Sequence, residues 1–316
     1  MTSTGLAVLA IGGNALIRDR RHESISDQYN LVCGIADDIV SMIEVGWNVV
    51  VTHGNGPQIG FVLRRSELAM SEVPPIPMDY AGADIQGAVG YMFVKALRNA
   101  FHRRGVQREA VAVVTQTVVD RNDPAFSNPL KPIGSHMEED RARELAAKYN
   151  WTVREDAGRG WRRVVPSPQP KSIIETGAIR SLTREGYVVV ACGGGGIPVI
   201  EDDDGNLTGV EVVIDKDLAS SLLARSLEAD ALVLPTGVEK VALDFNKPTQ
   251  RWLDCMTLAD ARKHIAEGQF DPGSMGPKVA ALIDFVGGGG RLGLITNPPN
   301  ISRALRGEAG TRVVAE

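Results

Sequence analysis

Aromatic residues and cysteines are scarce in this chain, and long apolar runs are absent. Phe, Trp and Tyr make up 5% of its 316 residues, whereas hydrophobic residues as a whole make up 43%. A buried core must therefore be built mainly from Val, Ile, Leu and Ala, and a chain of this length can form one large domain or two. No apolar run reaches the roughly 20 residues that a membrane-spanning helix requires. We therefore expect a globular protein without a membrane anchor.

The sequence also lacks the features of a signal peptide and of a metal or disulfide framework. Its first apolar run, residues 6–11, has no basic flank and ends in a glycine pair, which favours a strand over a signal peptide. The cysteines have none of the short spacings of zinc or redox motifs. They are Cys33, Cys192 and Cys255. These patterns predict a cytoplasmic protein with buried, unreactive thiols.

Concentrated positive charge is missing too. The formal net charge is −5 at pH 7, and Lys and Arg do not cluster along the chain. Binding to a nucleic-acid backbone needs clustered Lys and Arg. We therefore expect the partners to be small molecules, with neither nucleic acid nor membrane among them.

The chain does contain a repeated succession of apolar strand, glycine-rich loop and helix. Residues 6–11 and 47–52 are predicted strands, and a helix with one apolar face is predicted over residues 27–45. A glycine-rich loop follows each strand and can offer backbone N–H groups to an anion. The loop residues are Gly12, Gly13 and Asn14 after the first strand, and Gly54 and Asn55 after the second.

A third loop of this kind lies in the middle of the chain. Residues 188–191 form an unbroken apolar run, typical of a strand buried on both faces, and residues 193–196 are four glycines. Such a loop lets N–H groups approach a phosphate closely, although a mobile loop is the alternative. A further strand is predicted over residues 210–214, and a helix over 218–227. Between them lies an Asp-Lys-Asp triplet centred on Lys216, a good place to meet anionic oxygens.

A change of composition separates residues 120–170 from the segments on either side. Residues 83–104 are a predicted helix and 110–119 a predicted third buried strand, but the next segment is rich in Pro, Asn, Asp and charge. We predict that it leaves the main sheet and forms a small subdomain with one helix near residues 138–149. It carries Lys131 beside a proline that stiffens the backbone, although a lone lysine can also be simply solvated.

The second half continues the alternation of strands and helices. Strands are predicted over residues 231–234, 241–245 and 291–296, and helices over 257–266 and 279–285. Alternation throughout predicts an α/β fold with a mainly parallel sheet. In open sheets of this kind, ligands bind at the carboxyl ends of the strands, where the glycine-rich loops lie.

None of the glycine-rich loops matches the Walker pattern or GxGxxG, so the motifs support neither a P-loop site nor a dinucleotide site. What remains is several anion-binding turns and a few lysines. That combination suits phosphoryl transfer, in which catalysis is mostly alignment and charge neutralisation.

Seven motifs resemble those of the carbamate kinases in the amino acid kinase family. In chain order they are AIGGNAL, VVTHGNGPQIG, DRNDPAFSNPLKPIG, EDAGRGWRRVVPSP, ACGGGGIPVI, GVEVVIDKDLAS and GSMGPKV. The similarity covers nearly the whole chain, and EDAGRGWRRVVPSP together with VIDKD is more specific than any single glycine loop.

The resemblance implies a three-layer αβα sandwich with a protruding lid subdomain at about residues 120–170. It implies an N-terminal carbamate lobe over residues 1–217, a C-terminal nucleotide lobe over 218–316, and a homodimer. The implied reaction is reversible phosphoryl transfer between ATP and carbamate, with Mg²⁺ arriving on the nucleotide. In cells the reaction would chiefly make ATP from carbamoyl phosphate during catabolism of amino acids, arginine among them, or of ureides.

The same resemblance assigns expected roles to individual residues. The catalytic group is Lys131, Lys216, Lys278 and Asp217, with Asp217 orienting the lysines. The carbamate or phosphoryl group would be held by Gly12, Gly13, Asn14, Gly54, Asn55, Gly194 and Gly195. The nucleotide would contact Lys216, Thr236, Val238, Phe245, Met275, Gly276 and Lys278. Many amino acid kinases have a lysine where this chain has Ala10, and Lys131 is expected to replace it.

The sequence departs from the family pattern in three places. Residues 134–137 read GSHM where GPFY is usual, Asp84 and Ile85 interrupt a GAxSQG pattern, and Pro235 stands where Thr is more usual. Two alternatives to a carbamate kinase follow. One is a kinase of the same fold with another small carboxylate or carbamate-like acceptor, and the other is a non-catalytic sensor of nucleotide or carbamoyl phosphate.

Overall fold

A computed structural model describes residues 5–19, 21–156 and 158–316, and of Asn14 it describes the backbone alone. The strands are β1 Gly5–Ile11, β2 Trp47–His53, β3 Ala110–Ala112, β4 Gln116–Val119, β5 Lys131–Met137, β6 Thr152–Glu155, β7 Trp161–Val165, β8 Pro170–Ile173, β9 Val188–Val190, β10 Ile197–Glu201, β11 Leu207–Gly209, β12 Ala231–Pro235, β13 Val241–Leu243, β14 Arg251–Leu253, β15 Cys255–Thr257, β16 Leu292–Thr296 and β17 Thr311–Val314. The α-helices are α1 Ile25–Glu44, α2 Gly56–Ala69, α3 Met78–Arg104, α4 Glu139–Tyr149, α5 Thr176–Arg184, α6 Lys216–Ser226, α7 Leu258–Ala266, α8 Met275–Gly287 and α9 Ile301–Leu305.

Eight strands form one central sheet in the order β15-β17-β16-β12-β1-β2-β9-β3. Every neighbouring pair is parallel except β16 with β17. The pairing of β1 with β12 joins strands from the two halves of the chain into one sheet. The predicted α/β fold with a mainly parallel sheet is confirmed.

Helices cover both faces of this sheet, because its central strands are apolar on both sides. In β1, Ala7 and Leu9 belong to a core formed with α1, α3 and α9, whereas Val8 and Ala10 belong to a second core formed with α5, α6, α7 and α8. All four side chains are fully buried. An unbroken apolar run is the expected pattern for a parallel strand in such a three-layer arrangement.

A smaller antiparallel sheet, β5-β7-β6, stands apart from the central sheet. Helix α4 packs on it, and its register shifts between Ile133 and Met137. It is fastened to the main body by an apolar cluster, in which Ile133 and Val165 pack with Ile59 and Leu63 of α2. Arg163 also pairs with Glu211, and the N–H of Val213 donates to Pro166 O at 3.0 Å. The segment predicted to leave the main sheet therefore forms its own sheet.

Two strand predictions were wrong. Residues 110–119 form two strands in different sheets, because the chain turns between them at Thr115, whose backbone bonds to the side chain of Gln86. Residues 210–214 form a loop, since Val213 bonds to the subdomain instead of to a neighbouring strand. Apolar β-branched residues at both places gave the same pattern as a buried strand.

The prediction of buried thiols is right for Cys192 and wrong for Cys255. Cys192 is buried and Cys33 is half-buried, but Cys255 is exposed because it begins β15, the edge strand of the central sheet.

Asp38, a half-buried residue of α1, gives a prediction for stability. Burial and the neighbouring charge of Asp37 raise its pKa from 3.8 to about 6. The native state thus holds this proton more tightly than the unfolded state, and stability falls as pH rises from about 4 to about 6. Asp38→Asn removes the ionised group, so at pH 7.5 we expect it to raise the free energy of unfolding by about 1 kcal/mol after allowance for solvent screening.

Thermal unfolding at several pH values measures this effect. The gain should shrink toward pH 4, where Asp38 is protonated in both states. Glu72→Gln changes an exposed carboxylate and serves as the control. Equal melting temperatures for Asp38→Asn and the unmodified protein at pH 7.5 would show that the ionised Asp38 does not lower the free energy of unfolding.

Candidate active site

The glycine-rich loops after β1 and β2 lie directly against each other. Strands β1 and β2 are parallel with Ile11 opposite His53, so both loops begin at the same level, and Gly54 N–H donates to Ile11 O at 2.8 Å. A Cβ on Gly54 would lie 2.6 Å from the nitrogen of Gly13. Glycine is therefore required for this approach, which brings the backbones of both loops to one edge of the sheet.

The third loop, after β9, joins the same edge. Gly194, Gly195 and Gly196 have φ values of 69°, 94° and 93°, in the region that favours glycine. A Cβ on Gly194 would overlap the side-chain amide of Asn55, at 2.2 Å from Nδ2. The structure thus brings together all the loop residues that the sequence singled out, although the side chain of Asn14 lies outside what it describes.

Two lysines converge on one carboxylate beside these loops. Lys216 Nζ donates to Asp217 Oδ1 at 2.5 Å and to Ala10 O at 3.3 Å, and Lys278 Nζ donates to Asp217 Oδ2 at 3.0 Å. The three side chains are 14%, 7% and 13% exposed for Lys216, Asp217 and Lys278. One carboxylate shared by two nearly buried ammonium groups leaves a local excess of positive charge.

The pKa values in this group follow from burial and from the close charges. Burial tends to raise the pKa of Asp217, but Lys216 and Lys278 outweigh it and hold the pKa below 3.8. Burial, assisted by the charge of Lys278, lowers the pKa of Lys216 from 10.5, and Asp217 opposes that change. Asp217 is therefore ionised over the physiological range and keeps the ammonium groups in place.

The start of α6 positions Lys216. Asp215 caps this helix by accepting from the N–H groups of Asp217 at 2.8 Å and Leu218 at 3.4 Å. Ser220, one turn later, donates to Lys216 O and also contacts the hydroxyl of Thr52 at the end of β2, each at 2.6 Å. Lys216 therefore stands at a helix N-terminus that is fixed to the central sheet.

Lys131 faces the same cleft from the subdomain. It is exposed at the start of β5, and its ammonium group forms no hydrogen bond or ion pair with any residue that the structure describes. The cleft has a volume of about 640 Å³ and is bounded by Lys131 on one side and by the glycine-rich loops with Lys216, Asp217 and Lys278 on the other. It is large enough for a nucleotide and a small acceptor.

The residues expected to contact a nucleotide are only partly gathered in this cleft. Thr236, Lys216 and Lys278 line it. Val238 is in the loop before β13. Met275 and Gly276 begin α8, where they lie next to the lining residues Ser274 and Pro277. Phe245 is 51% exposed, packs edge-on against Trp252 and does not line the cleft itself.

Of the three places where the sequence departs from the family pattern, two lie outside the lining of the cleft and one lies within it. Asp84 is exposed on α3, and Ile85 is buried in the core, so the carboxylate expected near the acceptor is not among the lining residues. His136 of the GSHM segment contacts Asp156 within the subdomain at 2.9 Å. Pro235, at the end of β12, does line the cleft.

Sequence reasoning missed two buried polar residues beneath the loops. His53, at the end of β2, is 1% exposed, and its Nδ1 contacts Gly54 O at 3.0 Å. Gln86 of α3 is 5% exposed and donates to Gly193 O at 3.0 Å and to Thr115 O at 3.1 Å. The adjacency of His53 to the glycine loop was the signal available for it; Gln86 offered none, since its partners are remote in sequence.

No group of three or more His, Cys, Asp or Glu residues suited to a metal ion occurs among residues 5–19, 21–156 and 158–316. Asp217 is occupied by two lysines, and Asp215 caps a helix. Over the same residues, no helix is both long and apolar enough to cross a membrane.

A parallel sheet with glycine-rich loops at its carboxyl edge, next to a carboxylate that holds two ammonium groups, defines a phosphotransferase type of site. Comparisons with known proteins agree. The sequence model of the amino acid kinase family matches residues 5–297. The chain belongs to this family, in its carbamate kinase branch.

Relatives in that branch are similar over their full length. Carbamate kinase-like protein YahI of Escherichia coli is 47% identical over 98% of both chains, and carbamate kinase of Thermococcus kodakarensis is 46% identical over 98% of this chain and 99% of its own. A solved structure of carbamate kinase from Giardia lamblia bound to AMP-PNP has a TM-score of 0.95 at 39% identity and covers 99% of each chain.

Proposed function

We propose that this protein is a carbamate kinase, which catalyses ATP + carbamate = ADP + carbamoyl phosphate. The observation that carries the proposal is the convergence of Lys216 and Lys278 on Asp217 beside three glycine-rich loops in one cleft. Relatives that bear this name match nearly the whole chain. We further propose that the reaction runs chiefly toward ATP, in catabolism of amino acids, arginine among them, or of ureides.

In the ATP-forming direction, a β-phosphate oxygen of ADP attacks the phosphorus of carbamoyl phosphate. The bond from phosphorus to the carbamate oxygen breaks, and carbamate leaves with that electron pair. Lys216 and Lys278 lie where they can neutralise charge on the moving phosphoryl group, and Asp217 holds them there. The N–H groups of the glycine-rich loops bind the remaining oxygens.

Mg²⁺ is expected to arrive with the nucleotide, which it would bind through phosphate oxygens and water. When bound, it would supply positive charge that offsets the negative charge of the nucleotide. The cleft fits an ion that is held by the nucleotide and not by the protein. Its carboxylates already have partners, since Asp217 pairs with two lysines and Asp215 caps α6. We propose that the nucleotide lies toward Thr236 and Lys278, with Val238, Phe245, Met275 and Gly276 near its base.

The rate of ATP formation from ADP, Mg²⁺ and carbamoyl phosphate tests this function. Acetyl phosphate in place of carbamoyl phosphate tests the alternative of another small carboxylate acceptor. The exposed position of Asp84 removes one reason for that alternative. Turnover with carbamoyl phosphate well above that with acetyl phosphate supports the proposal, and binding of carbamoyl phosphate without any turnover would indicate a sensor instead.

Lys131→Ala is expected to lower kcat by about 10²-fold while leaving the dissociation constant of ADP unchanged. Its ammonium group faces the cleft with no partner among the described residues, so it is available to the phosphoryl group. Lys148→Ala, on α4 of the same subdomain, is the matched control and should retain the rate. Weaker nucleotide binding with unchanged kcat would show that Lys131 does not address the phosphoryl group.

We also propose that residues 120–170 act as a lid that brings Lys131 to the substrates. In the described part of the chain, the small sheet shares no strand pairing with the central sheet, and it joins the body through side-chain packing of Ile133 and Val165 on α2 and through the pair of Arg163 with Glu211. Adding ADP and carbamoyl phosphate together should protect this segment from limited proteolysis. Identical cleavage with and without both ligands would indicate a fixed subdomain.

A homodimer is proposed as the assembly. Helix α3 exposes Tyr80 and Tyr91 at 66% and 64%, and their spacing of three helical turns puts them on one face that a second copy can cover. Light scattering of the purified protein measures the mass directly. A single-chain mass at working concentration would exclude the dimer.

A further inference from the structure

Gln86 helps to fix the orientation of one peptide in the loop after β9, where Gly193 O also accepts from Gly196 N–H at 3.2 Å. Its Nε2 donates to Gly193 O at 3.0 Å and to Thr115 O at 3.1 Å, while its Oε1 accepts from Thr115 N at 2.7 Å. The carboxamide is therefore held at both ends. Because a trans peptide is planar, the N–H of Gly194 points opposite to the carbonyl of Gly193 and thus away from Gln86.

His53 holds a second peptide in the same way. Its Nδ1 lies 3.0 Å from Gly54 O, and a carbonyl can only accept, so Nδ1 carries the proton. The N–H of Asn55 belongs to the same peptide as this carbonyl and points away from the imidazole. Gly194 and Asn55 both line the cleft, and neither N–H has an acceptor among the residues that the structure describes.

The two buried side chains also pack against one point of the third loop. A Cβ on Gly193 would lie 2.4 Å from His53 Nε2 and 3.0 Å from Gln86 Cγ. Burial, opposed by the Gly54 hydrogen bond and assisted by the charge of Lys216, lowers the pKa of His53 to about 4. The imidazole is therefore neutral at physiological pH and adds no charge beside the lysines.

We propose that His53 and Gln86 are positioning residues, which aim the N–H groups of Asn55 and Gly194 at the oxygens of an anion in the cleft. The two N–H groups would act like an oxyanion hole. The side chains of His53 and Gln86 hold the carbonyls of the same peptides and do not contact the substrate themselves. Neither peptide needs to reorient when charge develops on the transferring group. The inference rests on the proposed function for the identity of the transferring group, which would be a phosphoryl group. The two N–H groups should nevertheless bind any phosphate-like anion.

Substitutions of Gln86 test the first peptide. Gln86→Met keeps the volume but removes the shorter of the two hydrogen bonds to the Gly193 carbonyl and leaves the longer one from Gly196 N–H. Gln86→Glu places a carboxylate against that carbonyl, so both substitutions should loosen the peptide. We expect kcat for ATP formation to fall by about 10²-fold in each, with KM for ADP changed by less than about threefold. Gln28→Met is the matched control, since Gln28 is also buried, but its side chain bonds to Glu23 O and to the side chain of Gln58 and not to a loop peptide.

Substitutions of His53 test the second peptide by rescue. Asn places an amide donor at the position of Nδ1, whereas Gln places it one atom farther, so the two differ chiefly in reach. We expect the His53→Asn variant to bind inorganic phosphate about tenfold more tightly than the His53→Gln variant. The difference corresponds to one charge-assisted hydrogen bond, from Asn55 N–H to the phosphate. Equal affinities would contradict a positioning role for this imidazole.

Calorimetric binding of inorganic phosphate separates this inference from the proposed function. If the unmodified protein makes no ATP but Gln86→Met binds phosphate more weakly than Gln28→Met, the function fails and the inference stands. If ATP is made and Gln86→Met matches Gln28→Met in kcat and in phosphate affinity, the inference fails and the function stands. Failure of the unmodified protein to bind phosphate would also overturn the inference.

Discussion

Replacing Lys216 or Lys278 by alanine is expected to lower kcat by about 10²-fold or more while the fold stays intact. Each substitution removes one of two ammonium groups from the floor of the cleft, where a phosphoryl group with about two negative charges has to pass between oxygens. Burial makes this loss large, because at 13–14% exposure little water can replace the missing charge.

Steady-state kinetics with circular dichroism to check folding measures the effect. Lys247→Ala is the control: this lysine is 65% exposed and pairs with Asp244 on the surface. The control should keep its rate, since surface ion pairs contribute little. Turnover equal to that of the unmodified protein in both cleft variants would remove the lysines from the mechanism.

Asp217→Asn is expected to have the largest effect on stability. The substitution leaves two buried ammonium groups close together without the carboxylate that pairs them, and breaking a buried ion pair from one side costs about 3–5 kcal/mol. Activity should fall as well, because Lys216 and Lys278 lose the group that holds them. Asp244→Asn, which breaks a surface pair, should change the stability far less, because surface ion pairs contribute little.

Urea unfolding at several pH values checks this prediction. The pKa of Asp217 lies below its ordinary value, so its stabilising effect is present above the unfolded pKa of about 4 and is lost as pH falls through the folded pKa. The stability difference between the unmodified protein and Asp217→Asn should be constant near neutral pH and narrow on acidification. If Asp217→Asn were as stable as the unmodified protein at pH 7, the result would contradict the claim that Asp217 stabilises the two buried ammonium groups.

Much of the fold could be predicted from the sequence. Unbroken apolar runs such as residues 188–191 indicated a parallel sheet covered on both faces, and the structure confirms it. Periodicity could not separate a buried strand from a buried loop at residues 210–214, where contacts with the subdomain decide the conformation. The division into lobes at residue 217 stays a prediction, because the central sheet runs through both halves.

The candidate site was accessible to sequence reasoning where a local pattern marked it. Glycine-rich loops and an Asp-Lys-Asp triplet are visible along the chain, whereas the contact of Lys278 with Asp217 joins residues 61 apart. The role of Gln86 could not be predicted at all, since its partner Gly193 is 107 residues away and an isolated glutamine belongs to no motif. The roles of all these residues stay predictions until variants are measured.

Phosphorus NMR of one reaction mixture tests the central claim most directly. The protein is mixed with ADP, Mg²⁺ and carbamoyl phosphate, and the spectra are followed over time beside those of Lys216→Ala. We predict that the carbamoyl phosphate signal falls as the γ-phosphate signal of ATP rises by the same amount, and that the variant is slower by about 10²-fold. Carbamoyl phosphate that persists, or that yields inorganic phosphate without ATP, would contradict phosphoryl transfer at this site.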